Sequence, residues 1–278
     1  MCTIGVDPIA FTIGSLEVRW YGIMVAIAVT ALIVIAVREA KRIGIPHDIH
    51  GILLSGLIGG VIGGRLAHVI NDWERFAANP GAIIGLSGLA QNGVIVGIIA
   101  TALIYMVVTR MRFSTLLSIG DAVAPGTPLA LAIARIGCTL NGCCHGNPSP
   151  FACFPGAIAY TARDTIPRFW NDIPLYQDGI TVPLYPTQIY HMLLNLAIFA
   201  IVWRFRGKFK PEGGLLFFYL CLHATGDFGV RFLRATEPFL FGLHQAQVID
   251  LAILAVFLPW LIIRVRRFQA SELPANNP

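Results

Sequence analysis

Charge is what this sequence has least of. Asp, Glu, Lys and Arg make up 13% of its 278 residues, against 56% hydrophobic ones, and the mean hydropathy is +0.70. An ordinary soluble domain of this size does not need so much apolar side chain for its core, so a soluble fold is excluded. Three further absences narrow the reading. No internal repeat is detectable, which disfavours a transporter built from inverted halves. No basic stretch followed by an apolar core opens the chain, so no cleavable signal peptide is expected and the first apolar segment is itself the targeting element. No Cys-x2-Cys pair occurs, which removes the spacing that makes a metal site readable from sequence.

What is present is a series of apolar runs. We expect an all-α membrane protein, a single transmembrane domain over residues 1–278, with about seven spans of the length needed to cross a ~30 Å hydrocarbon layer. They fall near Trp20–Val37, Ile52–Ile70, Ile84–Val108, Thr115–Ile136, Leu184–Trp203, Gly214–Leu233 and Gln245–Ile263. Twelve basic residues follow spans one, three, five and seven, whereas five lie at the opposite ends and loops, and Arg65, Arg135 and Arg231 fall within spans. This bias puts the C-terminus in the cytoplasm and the N-terminus outside, and it accounts for the net charge of +5 without nucleic acid as a partner. Between spans four and five, residues 137–183 carry six prolines and are too broken to span, so a small periplasmic head is expected there. Asp72–Gly85, with Trp73 and Phe76 among polar residues, suits a short interfacial helix.

Arg135 is the most informative residue. It follows the apolar run Pro128–Ala134, and a guanidinium at membrane depth costs several kcal/mol (about 3 on insertion scales) unless a polar or anionic partner is present. The natural anion in a bilayer is a lipid phosphate. Span two carries Gly56, Gly59, Gly60, Gly63 and Gly64, which permit close helix contact, and then Arg65, which either snorkels to the interface or lines a headgroup cavity. Trp20 and Tyr21 fit interfacial anchoring, with Gly22 leaving room beside the Tyr21 hydroxyl. In span four, Asp121 lies about four turns from Arg135 and cannot pair with it, while Pro125 and Pro128 free backbone carbonyls. Cys138, Cys143, Cys144, Cys153 and His145 cluster in sequence, but disulfides on an oxidising face or free packed thiols are the commoner outcomes, and no metal ligand is assigned. Span six holds His223, Asp227 and Arg231 on one helical face, with Arg234 following, so these groups face the bundle interior. An Asp227–Arg231 ion pair is one expectation there.

In order along the chain, Val18-Arg19-Trp20-Tyr21-Gly22, Gly63-Gly64-Arg65-Leu66, Asp121-x3-Pro125 with Pro128-Leu129, Arg135-Ile136-Gly137-x3-Asn141-Gly142-x3-Gly146 and Tyr185-Pro186-Thr187-Gln188-Ile189-Tyr190 resemble the prolipoprotein diacylglyceryl transferases. The resemblance implies a seven-helix inner-membrane enzyme without a cofactor. It would move diacylglycerol from phosphatidylglycerol to the lipobox cysteine of a preprolipoprotein, recognising its signal peptide among the membrane lipids, and release glycerol phosphate. Tyr21, Arg135, Asn141 and Gly146 match the family's functional positions, and Arg65 its second-span arginine. Gln91 stands where the best-known members have a third-span His, Asp227 and Arg231 exchange the places of the family's cation and acid, and Cys138 and Cys143 replace an Asn and a Glu. Glutamine accepts no proton at neutral pH. Arg135 is therefore expected to hold the phosphate, with Arg231 as a second cation, Gln91, Arg65, Asn141, Gly146 and Asp227 around the substrate, and His223, then His145, as base. The alternative is a lipid-binding paralogue that lacks the transfer or uses another acceptor.

Overall fold

The computed structural model describes residues 2–14, 16–45, 49–84, 88–161, 164–209 and 212–272. The chain is mostly helical and divides into two compact units, Met1–Ala36 with Gly120–Pro278, and Val37–Ile119.

Unit 1 opens with strands, which the all-α expectation omits. β1 (Thr3–Ile4) precedes a hairpin of β2 (Ile9–Ile13) and β3 (Leu16–Arg19), and Gly14 adopts a φ of +61° in its turn. The β-branched and aromatic residues of Ile9–Ile13 favour extended backbone. α1 (Trp20–Ile43) starts directly from β3, and Lys41 and Arg42 in its last turn complement the negative end of the helix dipole.

Unit 2 contains α2 (Ile49–Asn71), α3 (Trp73–Ala78), a 3₁₀ turn at Pro80–Ile84 and α4 (Gln91–Val108). The expected third span from Ile84 thus starts as a helix only at Gln91. α3 agrees with the short helix expected over Asp72–Gly85, of which Gly85 lies outside the described residues. α2 and α4 meet through glycines: a methyl group built on Gly63, Gly93 or Gly97 collides with a backbone carbonyl of the facing helix. The glycines expected to allow close packing do so, and those of α4 complete the contact.

The expected fourth span is two helices, α5 (Phe113–Val123) and α6 (Gly126–Asn141), bent by 46°. Pro125 and Pro128 lack the N–H groups that a continuous helix would use, and the Gly126 position lies against Leu32 and Ile35 of α1. Asp121 near the end of α5 accepts hydrogen bonds from the backbone N–H groups of Gly213 (2.7 Å) and Leu216 (2.8 Å), so its carboxylate caps the positive end of the helix that begins there. That helix is α8 (Gly214–Arg231), preceded by α7 (Thr187–Phe205) and followed by α9 (Gln245–Glu272). Ile198 and Val202 of α7 pack with Leu215 and Tyr219 of α8 and with Ala124.

Between α6 and α7 the chain forms β4 (Ala159–Tyr160), β5 (Phe169–Trp170), β6 (Ile173–Pro174), β7 (Tyr176–Gln177) and β8 (Ile180–Thr181). Ile158, Tyr160, Ile166, Leu175 and Leu184 give this segment its own apolar core. β4 pairs in parallel with β1, and a disulfide joins Cys2 to Cys153 beside them.

Among the described residues four helices are long and apolar enough to cross a membrane, α1, α2, α7 and α9 up to Ile263, and five if bent α5 and α6 form one span. Leu54, Ile62, Leu66 and Ile70 of α2 and Leu193 of α7 are exposed on these helices, which marks a multi-pass membrane protein. The Gly97→Val variant should be destabilised by at least about 1–3 kcal/mol through overpacking of α2 against α4. A thermal scan of the protein in detergent measures this, and an unchanged midpoint would contradict the close approach.

Candidate active site

The polar interior of unit 1 is organised around one carboxylate. Asp227 is buried on α8. Its Oδ1 lies 2.7 Å from Nε2 of His191 on α7, and its Oδ2 accepts the Nε hydrogen of Arg231 one turn along α8. The expected Asp227–Arg231 pair is therefore present, with His191 as a third member. Nδ1 of His191 lies 2.9 Å from the Thr187 carbonyl, so both ring nitrogens are engaged by protein oxygens. Asp250 of α9, also buried, is within electrostatic reach of Asp227 and Arg231.

α7 also holds the turn that follows α6. Gly142 ends α6 with a φ of +79°, and Cys144 adopts +61°, a conformation that L side chains rarely adopt. The Thr187 hydroxyl donates to the Cys144 carbonyl at 2.7 Å, and the Gln188 amide donates to the Cys143 carbonyl at 2.9 Å. Gly146 then passes between neighbours so close that a Cβ would lie 2.5 Å from both the Leu233 carbonyl oxygen and Cβ of Tyr185. Packing thus requires glycine there. His145 directs Nδ1 at the Gly146 carbonyl, 3.0 Å away, and burial pushes its pKa down, which keeps it neutral.

Arg135 is half-buried in α6. Among the described residues no carboxylate oxygen lies within 4.0 Å of it, and its side-chain hydrogen bond is to the Cys138 sulfur at 3.9 Å. Arg234, just beyond α8, is within electrostatic reach of Arg135, Arg231, Cys144 and Asp227. Burial pushes its pKa down, Cys144 opposes this, and the two neighbouring guanidinium groups push the same way as burial. Two guanidinium groups thus lie within electrostatic reach of each other and of a carboxylate that is already engaged. Such a place suits a multivalent oxyanion, since a guanidinium fork matches phosphate oxygens in pairs.

The remaining predicted residues divide between the units. Asn141 ends α6 with its amide oxygen buried and without a hydrogen-bond partner, and its carbonyl accepts from the Thr165 hydroxyl at 2.6 Å. His223 lies one turn before Asp227, its ring 5.8 Å from that of Tyr219 and its buried Nδ1 unpartnered. Tyr21 sits where α1 meets α6: a Cβ on Gly137 would lie 3.2 Å from Cα of Tyr21. In unit 2, Arg65 donates to the carbonyls of Ile83 (2.9 Å) and Gly88 (3.3 Å) and stacks over Phe76, so it holds the loop before α4. Gln91 begins α4, and its side chain lies outside the described residues.

Residues 8–263 match the family model described as prolipoprotein diacylglyceryl transferase. The chain belongs to the prolipoprotein diacylglyceryl transferase family. Proteins named phosphatidylglycerol–prolipoprotein diacylglyceryl transferase are similar to it along most of their length. One from Dehalococcoides mccartyi is 36% identical over 98% of this chain and 99% of its own. Another from Clostridioides difficile is 32% identical over 88% and 90%, and one from Bacillus anthracis 29% over 98% and 97%.

Sequence reading missed His191 and Arg234 as site residues. His191 follows the family motif Tyr185–Tyr190 by one position and stands in an apolar span, which is itself a signal. Arg234 lies past the end of span six, where the sequence shows only that it follows the His223–Asp227–Arg231 face. The Asp227–Arg231 pair has a physical context: with Asp227 central, a histidine on α7 can face it. The double exchange Asp227→Arg with Arg231→Glu would set a guanidinium against His191. It should therefore accumulate in membranes less than the triple variant that adds His191→Glu. Asp227→Ala, which strands Arg231, should cost about 3–5 kcal/mol of stability. Equal membrane levels of the double and triple variants would remove His191 from the network.

Proposed function

We propose that this chain transfers diacylglycerol from phosphatidylglycerol to the lipobox cysteine thiol of a preprolipoprotein, forming a thioether and releasing glycerol phosphate. The carrying observation is that Arg135 and Arg234 lie within electrostatic reach of each other while the nearby Asp227 is already held by His191 and Arg231. The names of the similar proteins support the same substrates.

The reaction breaks the bond between the diacylglycerol carbon and the phosphate oxygen while the cysteine sulfur bonds to that carbon. The electron pair leaves with the phosphate, and the thiol proton goes to a base. Arg135 grips the phosphate through its fork and lowers the energy of the charge that develops there. Arg234 supplies the second cation, a role that Arg231 gives up through its bond to Asp227. His223 takes the proton, since its Nδ1 is unpartnered whereas both nitrogens of His191 are engaged. The buried amide oxygen of Asn141 accepts a hydroxyl hydrogen of the lipid's glycerol headgroup. Tyr21 lines the α1 side of the site and Gly146 fixes the turn, while within unit 2 Arg65 braces the loop before α4.

The protein occupies the bacterial inner membrane as a single transmembrane domain with seven spans: α1, α2, α4, the bent pair α5 and α6, α7, α8 and α9. The N-terminus and the strand-bearing 137–183 head face the periplasm, and the C-terminus faces the cytoplasm. The excess of basic residues after spans one, three, five and seven supports this orientation. A periplasm-active phosphatase reporter inserted within Asn147–Gly179 should be active, and one fused after Gln269 inactive; the opposite pattern would reverse the orientation.

In a strain depleted of its own transferase, the wild-type chain should restore growth and lipoprotein modification. Arg135→Ala should reduce transfer by at least about 10²-fold. Arg135→Lys should remain severely impaired because a point charge does not reproduce the fork. Arg234→Gln should mainly raise the KM for phosphatidylglycerol. Phosphatidylglycerol binding by the wild type without any transfer would favour the lipid-binding paralogue instead.

A further inference from the structure

The turn after α6 contains a group that the proposed transfer does not use. Cys138, Cys143 and Cys144 bring their three sulfur atoms within 4.8 Å of one another. They are separated by uneven spacing in sequence, which is why no metal pattern is legible there. Their convergence has a local cause. Gly142 ends the helix in the left-handed conformation, the chain doubles back, and the next two residues return their side chains over the last turn, where Cys138 points. Cys144 keeps a positive φ that glycine would adopt more easily, and this conformation accompanies the approach of its sulfur to the other two. Cys138 is buried, whereas Cys143 and Cys144 are half-buried, so the cluster is enclosed on one side and reachable on the other.

We propose that these three thiols form a binding site for a thiophilic monovalent cation, copper(I), held by three thiolates. A metal–thiolate bond of about 2.3 Å sets sulfurs about 4 Å apart in a trigonal site, which the observed cluster meets with small adjustments. Sulfur ligands select copper(I) and zinc among the common ions. Zinc in a structural site wants four ligands, and among the described residues no fourth histidine, cysteine or carboxylate joins this group. Copper(I) is content with three. Binding releases the thiol protons to solvent and leaves two net negative charges on the centre. Arg135, 3.9 Å from the Cys138 sulfur, and Arg234, within electrostatic reach of Cys144, offset them. Since Arg135 is also the proposed phosphate ligand, a loaded site withdraws it from the lipid.

The test is anaerobic titration of the full-length protein in detergent with copper(I) against a chromogenic copper(I) chelator. The expected result is one equivalent per chain, three sulfur neighbours by X-ray absorption, and proton release on binding. The Cys138→Ser, Cys143→Ser, Cys144→Ser triple variant should bind at least 100-fold more weakly, while Cys221→Ser, at a separate cysteine of α8, should bind as the wild type does. If the triple variant does not fold, Cys143→Ser alone should leave two sulfur neighbours in the spectrum. Copper(I) should also inhibit transfer in the wild type and not in the variants. Undiminished binding by the folded variants, zinc displacing copper(I) at equal concentration, or alkylation mass spectrometry finding the three thiols already joined as disulfides would each overturn the proposal. Stoichiometry is read without substrate, so a failure here is distinct from a failure of the transferase reading.

Discussion

One buried carboxylate, that of Asp227, joins the helices in the interior of unit 1. Asp227 has two oxygens and gives one to α7 and one to its own helix, so the register of α7 against α8 follows from where its partners lie. A buried pair of this kind is weak as a source of net stability, because desolvation offsets most of the attraction, yet it is strict about geometry. Its engagement also sets the charge balance of the neighbourhood. With Asp227 occupied, Arg135 and Arg234 remain as surplus positive charge, and this surplus makes the interior receptive to an anion from outside the protein.

α7 acts twice on the site. Through His191 it fixes α8, and through Thr187 and Gln188, in its first turn, it fixes the carbonyls of the turn after α6. The motif from Tyr185 to Tyr190 is thus a joint between two parts of the polar interior, and the absence of a side chain at Gly146 lets the chain pass through that joint. The polar residues of α7's first two turns thus hold the backbone and side chains of the polar interior in place.

Much of the helical frame was legible in the sequence, since a membrane span is written locally as an unbroken apolar run. Each of the seven expected runs overlaps a helix, the third only from Gln91 and the fourth as the bent pair α5 and α6, and four or five of these helices are long and apolar enough to span. The break between α5 and α6 was only half legible: the prolines announced disturbed backbone without announcing a bend at Pro125. Arg135 and the Asp227–Arg231 pair could be named because polar groups stand out against apolar surroundings, and Asn141 because it falls in the motif that begins at Arg135. His191 and Arg234 could not be placed, since their importance comes from neighbours 36 and 88 residues away in the chain, Asp227 and the Gly146 backbone. The strands and the partner of Cys153 were hidden for the same reason. Short strands of two residues carry no periodicity, and a pairing across 151 residues leaves no local mark.

That last pairing makes the molecule a ring with tails. The bond from Cys2 to Cys153 encloses all of unit 2 together with α1, α5 and α6, so unit 2 is an excursion whose two ends return to the same covalently closed body. A single peptide bond cut anywhere inside that ring yields no free fragment, and the nicked chain remains one molecule until a reductant reaches the sulfurs. Beside β1 and β4, the first residues to be synthesised are thereby stitched to ones made only after more than half of the chain.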